Sequence, residues 1–507
     1  MFIDKMMEQT GCNTIKTENG AIGYKTTGKA LLDMNFKISS YRNLSEDEII
    51  KDFDNAFDEG PEMALRFLFY VRDVRGGVGE RRLFRVIMRH LVDDMPETAL
   101  ALAKIAPEYG RWDDVIDLVD TYIGDRVISQ IIEPQIFEDL RNTINENSVS
   151  LLAKWMPSEN ASSKLSRKRA IKIAKQMGLS MRSYGNMLST LRWYIDVVEV
   201  KMSAKKWNKI NYEKVPSQAN LLYKDAFLRQ DKIRRREYLA ALEKGEAKIN
   251  SSTVFPHEIT YKYTNTLSID ATLEAMWKAL PDYVKGDSNT LVVRDGSGSM
   301  TWTAIAKTDV RPSHIADALT IYFANRASGE FKNAFITFSS KPQIVKIKGK
   351  SLREDLDILS KYDECSNTNI KAVFELILKA AKENKMKQED LPKNILVLSD
   401  MEFDSGTRNI PLMSEVAQLY AENGYELPKL CYWNICSRSN AIPVKENKNG
   451  VVLVSGFSPA VIKMVLSSKL DPYEALVETL KSERYDLVSQ SLKNFLIHDN
   501  NLLTNDK

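Results

Sequence analysis

Cysteine and histidine are scarce, with four of each in 507 residues. Cys12, Cys365, Cys431 and Cys436 are too few for a disulfide framework in a chain of this size and too scattered for a zinc site, so reduced, structural thiols are expected. His90, His257, His314 and His498 are equally dispersed and assemble neither a His-based metal cluster nor a catalytic triad. His90, on an apolar helical stretch, reads as a packed residue. No run approaches the roughly 18 uninterrupted apolar residues of a membrane span. The start, MFIDKMMEQTGCNT, lacks the basic-then-apolar pattern of a signal peptide. A cytoplasmic protein with no membrane partner is expected.

Charge is nearly balanced overall, at a net +3, but unevenly placed. Between Ala161 and Tyr238 there are 19 Lys/Arg against 6 Asp/Glu, a local excess of +13 that leaves −10 for the rest of the chain. Such asymmetry suits a surface that meets a polyanion, and it also fits the solvated faces of helices. The length is enough for two or more domains with substantial cores.

The densest chemistry lies at Asp295-Gly296-Ser297-Gly298-Ser299-Met300. Leu291 to Arg294 reads as a buried parallel strand, since the run is short, β-branched and apolar. The glycines then allow a sharp turn that presents one carboxylate and two hydroxyls, each two residues apart. Downstream, Thr368 sits in Cys365-Ser366-Asn367-Thr368-Asn369, ahead of a helix carrying Ile370, Val373, Phe374 and Ile377. A second buried strand, Ile395 to Ser399, ends in Asp400. Hydroxyls and carboxylates at the ends of parallel strands build a site in the crevice there, and oxygen donors of this kind suit Mg²⁺. Glu402 and Asp404 follow closely enough to reach its rim, although a solvated acidic loop explains them as well. Arg294 is unusual in a buried strand; it should face away from Asp295 and pair with an acid beneath a helix.

The order D-x-S-x-S, then Thr, then strand-Asp, resembles the metal-ion-dependent adhesion site of a von Willebrand factor A domain. The resemblance implies that Asp295, Ser297, Ser299, Thr368 and Asp400 form the metal site. Ser297, Ser299 and Thr368 would be direct ligands, with the acids acting partly through water. It further implies a Mg²⁺ or similar divalent cation and an acidic protein partner.

Before residue 285 the chain reads almost wholly as helix. Ser45 and Glu48 form a capping box, Pro61 opens an apolar helix, and Arg81 to Leu91 carries Phe84, Ile87, Met88 and Leu91 on one face. Further helices are expected over 99–105, 113–119, 127–144 and 165–177. Short successive helices suggest a HEAT-type α-solenoid. Gly76 to Gly79 lacks both the Lys-Ser/Thr of a P-loop and a preceding strand, so a helix-helix turn explains it. After Asp400, strands at 430–435 and 451–454 and a helix over 414–423, with the earlier helix 314–326 and strand 335–338, complete a doubly wound α/β sheet. The expected architecture is therefore a HEAT-like α-helical solenoid or ring over 1–285, a doubly wound α/β, von Willebrand A-like domain over 286–470, and C-terminal helices and tail over 471–507.

The segments Arg72 to Arg81, Tyr109 to Asp114 and Ala153 to Pro157 resemble the helical part of Ro-type (TROVE) proteins, and more nearly their relatives of unassigned function. That resemblance implies binding of structured non-coding RNA, with single-stranded ends entering a basic hole in a ring, and no DNA. Residues of the right type are present. Lys164, Arg167, Lys168 and Arg169 surround one helix start, Lys201, Lys205, Lys206 and Lys209 surround Trp207, and Arg234, Arg235 and Arg236 precede Tyr238. Trp193, Tyr194 and Trp207 read as core rather than as base-stacking platforms. The resulting expectation is a non-enzymatic RNA-binding protein with a Mg²⁺-dependent partner-binding module. The alternative is a metal-dependent adaptor without RNA. A metal-dependent nuclease or phosphatase is disfavoured because no general base or paired metal site is evident.

Overall fold

The computed structural model describes residues 13–492 apart from 267, 285–288, 307, 364–367, 404–408, 445–449, 468 and 470, with 265 and 409–414 described by backbone alone. Two compact units emerge. One comprises Met1–Phe67, Gly76–Glu80 and Ser251–Ser482, and the other Leu68–Arg75, Arg81–Asn250 and Glu483–Lys507. The residues before 285 are thus divided between the units, and those after 471 are divided as well.

The first unit is built on a six-stranded sheet: β3 (Thr290–Asp295), β4 (Ala334–Phe338), β5 (Ile344–Lys346), β6 (Asn394–Ser399), β7 (Lys429–Asn434) and β8 (Val451–Ser455). Their order across the sheet is β5-β4-β3-β6-β7-β8, parallel throughout except for the antiparallel edge strand β5. Leu291, Val292 and Val293 are buried on both faces, as a helix-covered parallel strand requires. The chain winds outward from β3 in one direction and from β6 in the other, so the C-terminal ends of β3 and β6 flank the topological switch point. β5 was not anticipated, because three residues with only Val345 inward carry too little pattern.

Helix Pro312–Arg326 is buried along most of its length, and Ile370–Glu383 buries the predicted Ile370, Val373, Phe374 and Ile377. The Ser45 capping box is present: Ser45 Oγ accepts from Glu48 N at 3.2 Å while Glu48 accepts from Ser45 N at 2.9 Å.

The N-terminal region is helical as expected, apart from one short hairpin among the described residues. β1 (Thr14–Lys16) and β2 (Ile22–Tyr24) form an antiparallel hairpin, which belongs with the sheet-bearing unit. Helix Ala30–Lys37 packs on β8, where Asn35 Nδ2 donates to Leu453 O at 3.0 Å. The Gly76–Gly79 loop also serves packing. Gly79 has φ +76°, and a Cβ there would stand 2.6 Å from the Phe255 ring. Cys431 and Cys436 are buried free thiols, as expected, whereas Cys12 and Cys365 lie outside the described residues.

His257 is buried against Phe255 and Phe457, and burial, reinforced by the charge of Arg42, pulls its pKa down to about 3. The folded state therefore holds it neutral, while the unfolded chain protonates it near the ordinary value of about 6.5. Stability is fully present above that value and is lost as pH falls, by about 1.4 kcal/mol per pH unit from this group alone. His257→Leu is expected to flatten the decline in unfolding free energy, measured by urea titration between about pH 6 and pH 4.5, by that amount. An unchanged slope would contradict the assignment.

The second unit is helical. It includes Arg82–Asp94, Pro96–Tyr109, Trp112–Ile116, Glu133–Ile144, Lys164–Gln176, Met181–Tyr194, Ser217–Gln230 and Lys232–Lys244. Pro96 opens its helix, where the missing N–H costs nothing. From Glu483 the chain joins this unit: Tyr485 stacks on Tyr109 at 5.9 Å, and Arg484 pairs with Asp73 at 2.9 Å.

Candidate functional site

The two carboxylates singled out in the sequence meet at the switch point. Asp295 closes β3 and Asp400 directly follows β6, each 1% exposed. Ser399 Oγ donates to Asp295 Oδ2 at 2.5 Å, and Asp295 Oδ1 accepts from Ser297 N at 2.9 Å, a turn that folds the glycine loop back over its own acid. Ser297 Oγ and Ser299 Oγ lie 3.0 Å apart, and the Ser299 hydroxyl bonds toward Asp400. Burial raises both carboxyl pKa values, and the Asp295 charge adds to the rise at Asp400.

Thr368 is buried just ahead of Ile370–Glu383. Earlier in the chain, Tyr362 reaches the site loop, since its carbonyl oxygen lies 3.0 Å from where a Gly296 Cβ would stand. Arg294 organises that approach. Its guanidinium pairs with Asp317 of helix Pro312–Arg326 at 2.6 Å and with Asp363, and it donates to Tyr362 O at 3.3 Å. The acid beneath a helix is thereby identified, and a second acid joins it.

The donor set fits a hard divalent cation: two buried carboxylates beside hydroxyls, with Asp400 Oδ2 accepting no hydrogen bond among the described residues. Among the described residues no group of three or more His, Cys, Asp or Glu side chains is placed to hold a metal ion, so any cation here would depend on the serine and threonine hydroxyls beside the two acids.

Sequence reasoning missed three participants. Ser399 lay within a strand read only as hydrophobic. Arg438, in the turn after β7, places Nη1 3.3 Å from Asp400 Oδ2 and Nη2 2.8 Å from Glu18 of the N-terminal hairpin. Neither Arg438 nor Glu18 carried a local signal, because their roles depend on chain segments some 420 residues apart.

Glu402 turns inward and does not line the rim. Its carboxylate accepts from Glu18 N at 2.9 Å, from Arg438 N and Ser439 N at 2.8 Å each, and from Ser437 Oγ at 3.2 Å. Thr17 Oγ1 also donates to Phe403 O at 2.7 Å, so the hairpin clamps the loop beyond Asp400. Asp404 lies outside the described residues.

In the helical unit, residues from each of the three segments compared with Ro-type proteins meet. Arg72 Nε donates to Asp114 Oδ2 at 2.7 Å, Arg85 bridges Asp113 and Asp114 at 2.9 Å each, and the Arg111 guanidinium stacks over Trp155 at 4.4 Å. Gly110 is required by this crowding, because a Cβ would stand 2.6 Å from Asp114 Oδ2.

The candidate RNA-binding cations separate into two groups. Lys164, Lys168, Lys205, Lys206, Lys209 and Arg236 are exposed. Arg169 is committed to Asp117 and Asp120, Lys201 to Asp196 and Lys209 O, and Arg167 to Ala161 O. Arg234 spans Asp231, Trp207 O and Ile210 O while remaining partly exposed. Arg235 must be withdrawn as a surface contact. It is 0% exposed, with its guanidinium 4.8 Å from the Tyr212 ring centroid and 5.2 Å from those of Phe227 and Tyr238. The aromatics divide too: Trp207 packs on Phe227, whereas Trp193, expected in the core, is 73% exposed.

Among the described residues no helix is long and apolar enough to cross a membrane. Residues 289–495 match a family described as Domain of unknown function (DUF7788). The chain is also 30% identical over 508 residues to an uncharacterized protein of Acanthamoeba polyphaga mimivirus, a match covering 92% of this chain and 87% of that protein. Residues 17–131 and 126–293 match a second family and together make up more than half of the chain, which thus belongs to the family described as Domain of unknown function (DUF2828).

Proposed function

We propose that this is a non-enzymatic, two-module binding protein, in which a von Willebrand A-like module uses a divalent cation to recruit an acidic protein partner and a HEAT-like helical module binds non-coding RNA. The observation that carries the reading is the meeting of Asp295 and Asp400, both buried and linked through Ser297 and Ser299, at the switch point of a doubly wound sheet. Burial disfavours two adjacent negative charges, a cost that a proton or a bound cation would relieve, and Arg438 alone leaves Asp400 Oδ2 without a hydrogen bond. Mg²⁺ held by Ser297, Ser299 and Thr368, with the acids beside it, would supply the missing charge and an open position for a partner's carboxylate.

RNA binding rests on the +13 excess over residues 161–238 and on the exposed lysines there. The adaptor reading without RNA has its own support. Arg235 is buried, and Arg169 and Lys201 are engaged internally.

Asp295→Asn keeps the side-chain shape and removes one charge. Isothermal titration with Mg²⁺ is expected to show at least about a tenfold loss of affinity relative to the parent. Structured RNA should bind both proteins within about twofold and lose affinity steeply with salt. A parent that takes up no Mg²⁺ would remove the metal half of the reading, and one that binds no RNA would leave the adaptor.

A further inference from the structure

Within the basic stretch, the structure has an open surface depression of about 660 Å³, called the cavity below, whose charge differs from that of its surroundings. One wall is a single helical face, since Arg234, Glu237, Tyr238 and Ala241 recur at the three- and four-residue spacing of helix Lys232–Lys244. The floor is the irregular run Asn208 to Glu213. Arg234 is already fixed in place by the carbonyls of Trp207 and Ile210 and by Asp231, so holding a ligand there costs little further side-chain entropy. The Tyr212 and Tyr238 rings stack at 5.3 Å behind it.

Lys209 and Arg234 face this space together with Glu213 and Glu237, so the lining is neutral although the segment around it carries +13. A site meant only for phosphate would not carry two carboxylates, because each repels the anion that the exposed lysines attract. Carboxylates do accept hydrogen bonds from amino groups, and Glu213 and Glu237 are both exposed at the cavity.

We infer that this cavity seats one unpaired RNA nucleotide, with its phosphate at Lys209 and Arg234 and an amino-bearing base edge at Glu213 and Glu237. The inference rests on the RNA-binding reading and adds to it a site and a base preference. Cytosine, adenine and guanine can donate from an exocyclic amino group, whereas uracil has only its N3–H, flanked by two carbonyl oxygens that the acids repel. The exposed Lys205 and Lys206 would track the neighbouring backbone without regard to sequence.

Fluorescence anisotropy on the full chain, with labelled oligo(C) and oligo(U) of about 12 nucleotides, tests this. Oligo(C) is expected to bind at least about tenfold tighter than oligo(U). Glu237→Gln, on an exposed position, should bring the two within about twofold, because the amide can also donate to uracil. Ala241→Phe, which fills the cavity without changing charge, should lower oligo(C) binding to the level of oligo(U). Lys205→Glu with Lys206→Glu should weaken both oligomers alike. Thermal melting matched to the parent shows that each variant is folded. Equal binding of the two oligomers by the parent, or a preference that survives both Glu237→Gln and Ala241→Phe, overturns the cavity assignment while leaving RNA binding in place. Binding of structured RNA without either oligomer does the same. Failure of the parent to bind any RNA at low salt overturns both.

Discussion

Arg294→Met is expected to lower the stability of the sheet-bearing unit by about 3–5 kcal/mol, the usual consequence of removing one partner from a buried ion pair. The side chain is 1% exposed, so its charge has no water to fall back on. Burial opposes the charge, but Asp317 and Asp363 more than offset it, and the guanidinium pKa stands above its ordinary value. Removing it leaves those two carboxylates beside an apolar strand and frees the carbonyl of Tyr362. Differential scanning calorimetry should show the transition of this unit shifting down while that of the helical unit stays in place. Adding Asp317→Leu to Arg294→Met should recover much of the loss, because replacing both charges removes the desolvation cost along with the attraction. A single variant as stable as the parent would show that the pair contributes nothing. Arg294 also ties helix Pro312–Arg326 to the Tyr362–Asp363 turn abutting Gly296, so Mg²⁺ affinity should fall with stability in the single variant.

The same residue marks where sequence reasoning succeeds and where it stops. Alternation along a strand was enough to say that Arg294 points away from Asp295 and toward an acid under a helix. It could not choose the acid, because Asp317 lies 23 residues away and Asp363 lies 69. The sheet was legible for a related reason. Four of its parallel strands are short, apolar and doubly covered, so burial imprints them on composition. The hairpin at residues 14–24 left no such mark. Its strands are three residues each, and its value lies in the contacts of Thr17, Glu18 and Asn19 with the loop at Glu402–Phe403. Glu402 escaped both readings the sequence allowed, a solvated acidic loop and the rim of the site, for the same cause. Its spacing from Asp400 suggested the rim, whereas the backbone N–H groups of Glu18, Arg438 and Ser439 hold it inward. Counting cations over 161–238 likewise could not distinguish exposed Lys205 from buried Arg235, since charge is additive in sequence and burial is not.

Asp114→Ala is expected to cost about 3–5 kcal/mol in the helical unit while changing RNA affinity by less than about twofold at a temperature where the variant is folded. Asp114 is the hub of three sequence-distant segments. It accepts from Arg72 at 2.7 Å, from Arg85 at 2.9 Å and from the Arg111 N–H at 3.1 Å. The Arg72 and Asp114 side chains are 2% and 0% exposed, so alanine strands a buried cation. Arg72→Met combined with Asp114→Leu should be closer to the parent than either single change, which a melting series of the four proteins would measure. An equal and additive loss in the double variant would show that the pair is not coupled. If Asp114→Ala instead leaves melting unchanged and abolishes RNA binding, the arginines around it are the nucleic-acid surface. The geometry argues against that, because Arg72 and Arg85 are already saturated by carboxylates. Phosphate contacts would then fall to the exposed lysines of 164–209, whose charge nothing in the fold consumes to the same degree.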